Sequence, residues 1–213
     1  MFKLDSVYSE PFPHMVVDGF ADDEQLRAIV DTWPTDGWQY KAVRTSIKYS
    51  MAETVWMPQA ARDLLAALYA PEFMARLGEA FGLELHADPQ YEQGHLEGGG
   101  LHMIPRGGHL GMHVDFNRHP KKQWRRVLNL LLYLNEEWDD EWGGALRIEY
   151  PDKRLAKSVT PRFNRAVAFA TSDHSWHGHP APLMCPQGHS RKSVAIYYYS
   201  KAQAAEGHCT IYR

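Results

Sequence analysis

Cysteine is scarce in this chain. Only Cys185 and Cys209 occur among 213 residues, too few for a disulfide framework, so a reducing compartment is expected and the cytoplasm is the default. No apolar run approaches the length that crosses a bilayer, and the opening MFKLDSVYSEPFPH lacks the apolar stretch of a signal peptide. The expectation is a soluble, cytoplasmic protein with no membrane partner. Positive charge is not in excess either. The 23 Lys and Arg against 26 Asp and Glu give a formal net charge of -3, which does not favour a nucleic-acid partner. No internal repeat, low-complexity tract or interdomain linker breaks the chain, so residues 1–213 are expected to form one domain. A hydrophobic content of 44% is ordinary for a globular protein of this length and enough to bury a sizeable core.

The first 83 residues read as mainly helical support. Residues 22–33 open on three acids, which suit a helix N-terminus, then place Leu26, Ile29, Val30 and Trp33 on one face before Pro34. Pro58 opens a second helix with Leu64, Leu65 and Leu68 facing inward, and Pro71 opens a third that ends near Gly82. Residues 38–56 are aromatic and β-prone without a clear placement. From residue 84 the pattern changes to short β segments divided by Gly, Pro, Asn and Asp: 84–88, 91–96, 100–104, 109–116, 126–135, 144–150, 155–160, 165–171, 175–179 and 193–200. Such spacing predicts a sandwich or barrel core over residues 84–200, followed by a C-terminal tail over 201–213. Helices gathered at the start, not alternating with strands, exclude a doubly wound sheet.

The clearest strand is RVLNLLLYLN, residues 126–135. Period two puts Leu128, Leu130, Leu132 and Leu134 on a purely apolar face, suited to packing under helices. Asn129, Leu131 and Tyr133 fall on the other, as in a ligand-lined interior. The acidic turn that follows ends in Gly143-Gly144, a hairpin signal.

Chemistry concentrates in three places. His113 and Asp115 stand at i and i+2 of an extended segment, so both project from one face and can reach one metal ion. A distant histidine would complete a facial set of two imidazoles and a carboxylate, leaving the opposite face of the metal open to co-substrate and O2, as in non-haem Fe(II) oxygenases. His174, His177, His179 and His189 all stand where they could supply that third ligand, and His177 and His179 share a strand face. Arg191 opens the last strand, with Ser193 on its face and Lys192 opposite. A fixed guanidinium there can grip a carboxylate through two parallel hydrogen bonds.

Residues 109–200 resemble the prolyl-4-hydroxylase-like branch of the Fe(II)/2-oxoglutarate-dependent oxygenases. The likeness rests on HVDF at 113–116, LYLN at 132–135 with Trp138 and Gly143-Gly144, SWHG at 175–178, and RKS at 191–193 running into three tyrosines at 197–199. The opening PFPHMVVDGF at 11–20 is also similar to the start of small bacterial members. The resemblance implies a mainly β fold, a double-stranded β-helix or cupin-like jelly-roll buttressed by N-terminal helices. It implies Fe(II) on His113, Asp115 and His177, the last chosen for its Trp-His-Gly setting. It implies 2-oxoglutarate as co-substrate and O2 as oxidant, with Arg191 and Tyr133 on the distal carboxylate of 2-oxoglutarate and Ser193 adding a hydroxyl. Asn129 is expected either beside the co-substrate or iron, or as a structural amide. The family's halogenases replace the ligand carboxylate by a small residue, so Asp115 implies a hydroxylase.

The expected activity is hydroxylation of an unactivated C–H bond of a small molecule, such as an amino acid, a sugar derivative or a natural-product intermediate, with succinate and CO2 as co-products. The alternatives are a prolyl hydroxylase acting on protein and, from another class, a non-catalytic cupin-like metal-binding or sensor protein. Gly98-Gly99-Gly100 and residues 104–110 read equally as a mobile lid or a plain connection. The cluster Arg118, His119, Lys121, Lys122, Arg125 and Arg126 reads as a solvated turn or an attraction for an anionic substrate.

Overall fold

The computed structural model describes residues 1–203 and 206–213. Its first part supplies β1 (His14–Asp18), α1 (Asp23–Asp31), β2 (Gln39–Val43), β3 (Ser46–Met51), α2 (Gln59–Leu68) and α3 (Pro71–Phe81). The helix boundaries follow local chemistry. Asp22 caps α1 by accepting from the Gln25 backbone N–H at 2.9 Å. Pro71 occupies the first turn of α3, and Gly82 ends it in the left-handed conformation.

The remaining strands are β4 (Gly100–Pro105), β5 (His109–Val114), β6 (Trp124–Tyr133), β7 (Leu146–Glu149), β8 (Leu155–Val159), β9 (Arg165–Ala170), β10 (Trp176–His179), β11 (Ser190–Gln203) and β12 (Ile211–Tyr212). All pairings are antiparallel. One layer runs β1-β9-β6-β11-β4-β3, and the other runs β5-β10-β7-β8. The layers are joined because β3 pairs with both β4 and β5. This is the mainly β, helix-buttressed jelly-roll expected from the sequence.

Leu128, Leu130, Leu132 and Leu134 are buried with Leu26, Ile29, Leu64, Leu65, Leu68 and Leu77 of the three helices, as the alternation in β6 predicts. The opposite face turns inward. There Tyr133, Val167 and Phe169 of one layer meet Leu146, Ile148 and Val159 of the other, closing one end of the sandwich.

Several expectations change. The first 83 residues are not only helical support: β1, β2 and β3 join the sheet, and residues 38–56 are mostly the β2–β3 hairpin. The tail expected over 201–213 is partly sheet, because β11 runs to Gln203 and β12 pairs with β5. Residues 84–88 and 91–96 are not strands. His86 makes a single bridge to Tyr199, while the Asp88 carboxylate accepts from the backbone N–H groups of Gln90 and Glu97 and folds Tyr91–Gln93 into a 3-10 turn. Turn chemistry at Asp88-Pro89 outweighs β propensity there. Gly143-Gly144 closes no hairpin, since β6 pairs with β9 and β11 while β7 pairs with β8 and β10. Gly99 and Gly100 are buried against the backbone of Ala195 and Met51, and residues 106–108 form the β4–β5 connection. No helix among the described residues is long and apolar enough to cross a membrane.

The Leu130 side chain is buried between β6 and the helices. Leu130→Ala should lower unfolding free energy by about 2–5 kcal/mol, read from the urea midpoint at unchanged m-value.

Candidate active site

Antiparallel register brings the first two ligand candidates together. His177 of β10 lies directly opposite His113 of β5, and the two ring centroids are 4.3 Å apart. Asp115 follows β5 by one residue and turns its carboxylate between them. Its Oδ1 is 3.5 Å from His113 Nε2, and its Oδ2 is 3.4 Å from His177 Nε2. One donor atom from each of the three residues lies within 4.8 Å of the others, so the group could hold a metal ion.

The ring orientations test that fit. His113 Nδ1 donates to the Gly111 carbonyl and His177 Nδ1 to the Ser175 carbonyl, both at 2.8 Å. A carbonyl only accepts, so Nδ1 carries the proton and a neutral ring presents its Nε2 lone pair. Burial, with His113 beside it, pushes His177 down to about 4, so this ring is neutral at pH 7. Lone pairs and carboxylate oxygens then converge with no proton between them. A cation at their centre resolves that repulsion, and the donor set suits Fe(II).

Asp115 is held ionised from behind. Burial alone would raise its carboxyl, but Arg126, His177 and His113 hold it well below the usual carboxylate range. Arg126 Nη2 lies 3.2 Å from Oδ2, near enough for ion pairing though not aligned as a hydrogen bond. Asn129 Nδ2 donates to the same oxygen at 2.7 Å, and Arg126 Nε donates to Asn129 Oδ1 at 2.7 Å. Asn129 therefore braces the carboxylate.

Arg126 does not belong to a solvated turn; it is 2% exposed. Sequence alternation puts it on the leucine face, but the β6–β11 register shifts, with Tyr198 opposite Leu128 and Tyr199 opposite Arg126. This bulge at Val127 turns the guanidinium inward over the rings of Tyr197 and Phe116. His119 of the same basic cluster is also buried, its Nε2 3.5 Å from Asp88 Oδ1.

Arg191 lies buried in the same cavity wall. Its Nε donates to the Gly144 carbonyl at 2.8 Å, and its Nη2 donates to the Tyr133 hydroxyl at 3.1 Å. Gly144 permits this approach: a Cβ there would meet Leu183 at 2.5 Å and the Arg191 side chain at 3.2 Å. No carboxylate among the described residues pairs with Arg191. Ser193 lines the cavity beside it and pairs in register with Tyr133.

The cavity measures about 210 Å³. Of the rival distal histidines, His174 and His189 are exposed, whereas His179 lines the cavity with both ring nitrogens lacking a hydrogen-bond partner. Burial and then Arg191 hold His179 well below its ordinary value, keeping it neutral. Sequence reasoning missed Lys41, Lys48, His102, Tyr197 and Tyr212, which also line the space.

Residues 99–199 match the model of the 2OG-Fe(II) oxygenase superfamily. The fold and the His-Asp-His group agree with that match, which likens this stretch of the chain to the 2OG-Fe(II) oxygenases. Among solved structures, it is similar to a Pseudomonas putida prolyl-4-hydroxylase, at 19% identity over 87% of this chain and 91% of that one, with a TM-score of 0.64. A Trichoplax adhaerens prolyl hydroxylase, solved with a hypoxia inducible factor peptide fragment, aligns at 14% identity over 87% and 83% of the two chains, with a TM-score of 0.62. HygX from Streptomyces hygroscopicus, solved with nickel and 2-oxoglutarate bound, aligns at 11% identity over 87% and 82%, with a TM-score of 0.54. No curated protein matches the chain.

Removing the brace on Asp115 should loosen the metal. Asn129→Ala is expected to weaken Fe(II) affinity by about 10–100-fold in anaerobic titration, with little change in secondary structure by circular dichroism.

Proposed function

We propose that this chain is a 2-oxoglutarate- and Fe(II)-dependent dioxygenase that hydroxylates an unactivated C–H bond of a small molecule, holding Fe(II) through His113, Asp115 and His177. Arg191, Tyr133 and Ser193 take the distal carboxylate of 2-oxoglutarate. The observation that carries this reading is the Arg191 guanidinium: buried, lining the triad's cavity, and without a carboxylate partner. A buried cation is costly unless paired, and a dicarboxylate co-substrate supplies the missing anion.

When bound, Fe(II), 2-oxoglutarate and O2 supply the oxidising chemistry, in which the co-substrate leaves as succinate and CO2 and the substrate gains a hydroxyl. The chain's own share is positioning. Arg126 and Asn129 keep Asp115 ionised and oriented, while the Gly111 and Ser175 carbonyls set the histidine tautomers. Tyr133 keeps its proton, because burial raises it further than Arg191 lowers it, so the phenol remains able to donate to a carboxylate. Leu131 and Leu146 add apolar walls that exclude water from the oxidant.

The compact cavity supports a small-molecule substrate: an amino acid, a sugar derivative or a natural-product intermediate. The likeness to two prolyl hydroxylases supports the alternative, a protein prolyl substrate. A non-catalytic sensor would have no use for the Arg191–Tyr133 arrangement. The two unpaired cysteines fit a cytoplasmic setting.

The test is anaerobic titration with Fe(II) and 2-oxoglutarate, followed by succinate release on admitting O2. Arg191→Ala should cost about 2–5 kcal/mol of co-substrate binding, roughly 30-fold or more in Kd; unchanged affinity would overturn the assignment. His113→Ala and Asp115→Ala should each abolish iron-dependent turnover.

A further inference from the structure

The β2–β3 hairpin places two lysines directly opposite each other. Lys41 pairs in register with Lys48, and both line the cavity. Like charges at opposed sheet positions destabilise a hairpin. Neither lysine has a hydrogen bond or ion pair to a described residue that would relieve the repulsion. The one carboxylate facing the cavity, Asp115, is already engaged by Arg126 and Asn129.

The charge balance points the same way. Lys41, Lys48, Arg126 and Arg191 face the cavity against Asp115 alone, an excess of three positive charges. Adding Fe(II) and the 2-oxoglutarate dianion leaves that excess unchanged, because their charges cancel. Arg191 is answered by one carboxylate of the co-substrate and Arg126 by Asp115, so two of the three surplus charges rest on the lysines and the third on the metal.

The lysines reach the cavity from the hairpin, and Arg191 reaches it from β11. Lys48 feels the charges of Asp115 and Arg126, and burial, aided by Lys41, lowers its ammonium to about 8. It is thus largely protonated at neutral pH while poorly solvated, which is the condition of a cation awaiting an anion. Lys41, exposed at the rim, holds the outer side.

Resting on the proposed hydroxylase reading, we propose that Lys48 and Lys41 form an anion subsite for the prime substrate. That substrate is a small molecule whose carboxylate or phosphate is seated at the hairpin, while its target C–H bond faces the metal group. An internal prolyl residue of a protein has no anion of its own to place there, so this subsite favours a free acid or phosphate ester over a polypeptide.

The test uses the whole chain loaded with Mn(II) and 2-oxoglutarate, which cannot turn over. Co-substrate binding to wild type is measured first, and its absence would refute the hydroxylase reading itself. The loaded protein is then titrated calorimetrically with inorganic phosphate, and with short monocarboxylates beside their neutral amides. At least one anion should bind, its amide should not, and Lys48→Met should weaken the anion by about tenfold or more. Lys48→Arg should retain it, and the variants' affinity for 2-oxoglutarate should stay within about twofold of wild type. In the unloaded protein, removing one of the opposed charges should hold or raise the melting temperature of Lys48→Met. Failure of every anion to bind, equal binding of the amides, or loss of 2-oxoglutarate in Lys48→Met would overturn the inference. So would a fall in that variant's melting temperature, which would mark Lys48 as structural.

Discussion

The antiparallel register of β5 against β10 is the constraint on which the site depends. It sets His113 opposite His177, so two imidazoles from residues 64 positions apart meet without help from a loop. Period two in a strand makes this arrangement all-or-none: a slip of one residue would send His113 to the other face and take Asp115 with it. The neighbourhood is shaped to prevent that slip. Gly178 lets β10 press onto β5, since a Cβ there would lie 2.6 Å from the Gly111 carbonyl. On the other edge of β5, Tyr212 of β12 pairs with His113, so the strand is gripped from both sides.

Around that register, charge is distributed by what can answer it. The Asp115 carboxylate is met by Arg126 and Asn129 on one side and by two imidazole lone pairs on the other. It is therefore over-supplied with donors behind and with acceptors in front. The rear contacts keep it ionised and still; the front contacts need a cation. Arg191 presents the reverse condition, a buried guanidinium whose two protein partners, a carbonyl and a phenol, carry no full negative charge. Because the interior weakens solvent screening, each imbalance defines a ligand more sharply than the same residues could on a surface.

Much of this was legible in the sequence wherever side-chain alternation alone decides direction. The leucine face of β6, the shared face of His113 and Asp115, and that of Arg191 and Ser193 are consequences of a two-residue period. The helices at 22–33, 58–68 and 71–82 could be read from their acids, prolines and terminal glycine. What escaped depends on information that a linear pattern does not hold. Arg126 sits inward because of a bulge, which inverts parity beyond Val127 and makes a core cation look like part of the basic run 118–126. The strand character of β12 depends on its partner β5, not on its own two residues. Asp88 defeats two expected strands through side-chain hydrogen bonds that compete with a ladder. Gly143-Gly144 resembled a hairpin turn, yet it delivers a backbone carbonyl to Arg191 and crosses between layers.

The same contrast bears on where specificity resides. Every residue assigned to iron or 2-oxoglutarate falls within residues 99–199, the stretch shared with the superfamily. Lys41 and Lys48 do not; they arrive from a hairpin that joins the sheet through β3, itself paired with both layers. The hairpin thus lines the cavity from outside the matched stretch, through a strand that pairs directly with β5. On the proposed reading, the reaction chemistry and the choice of substrate lie on different parts of the chain. The two parts meet electrostatically, since Lys48 feels the carboxylate that the metal group requires. On the proposed reading, an anion seated at the lysines would share one cavity with the metal group.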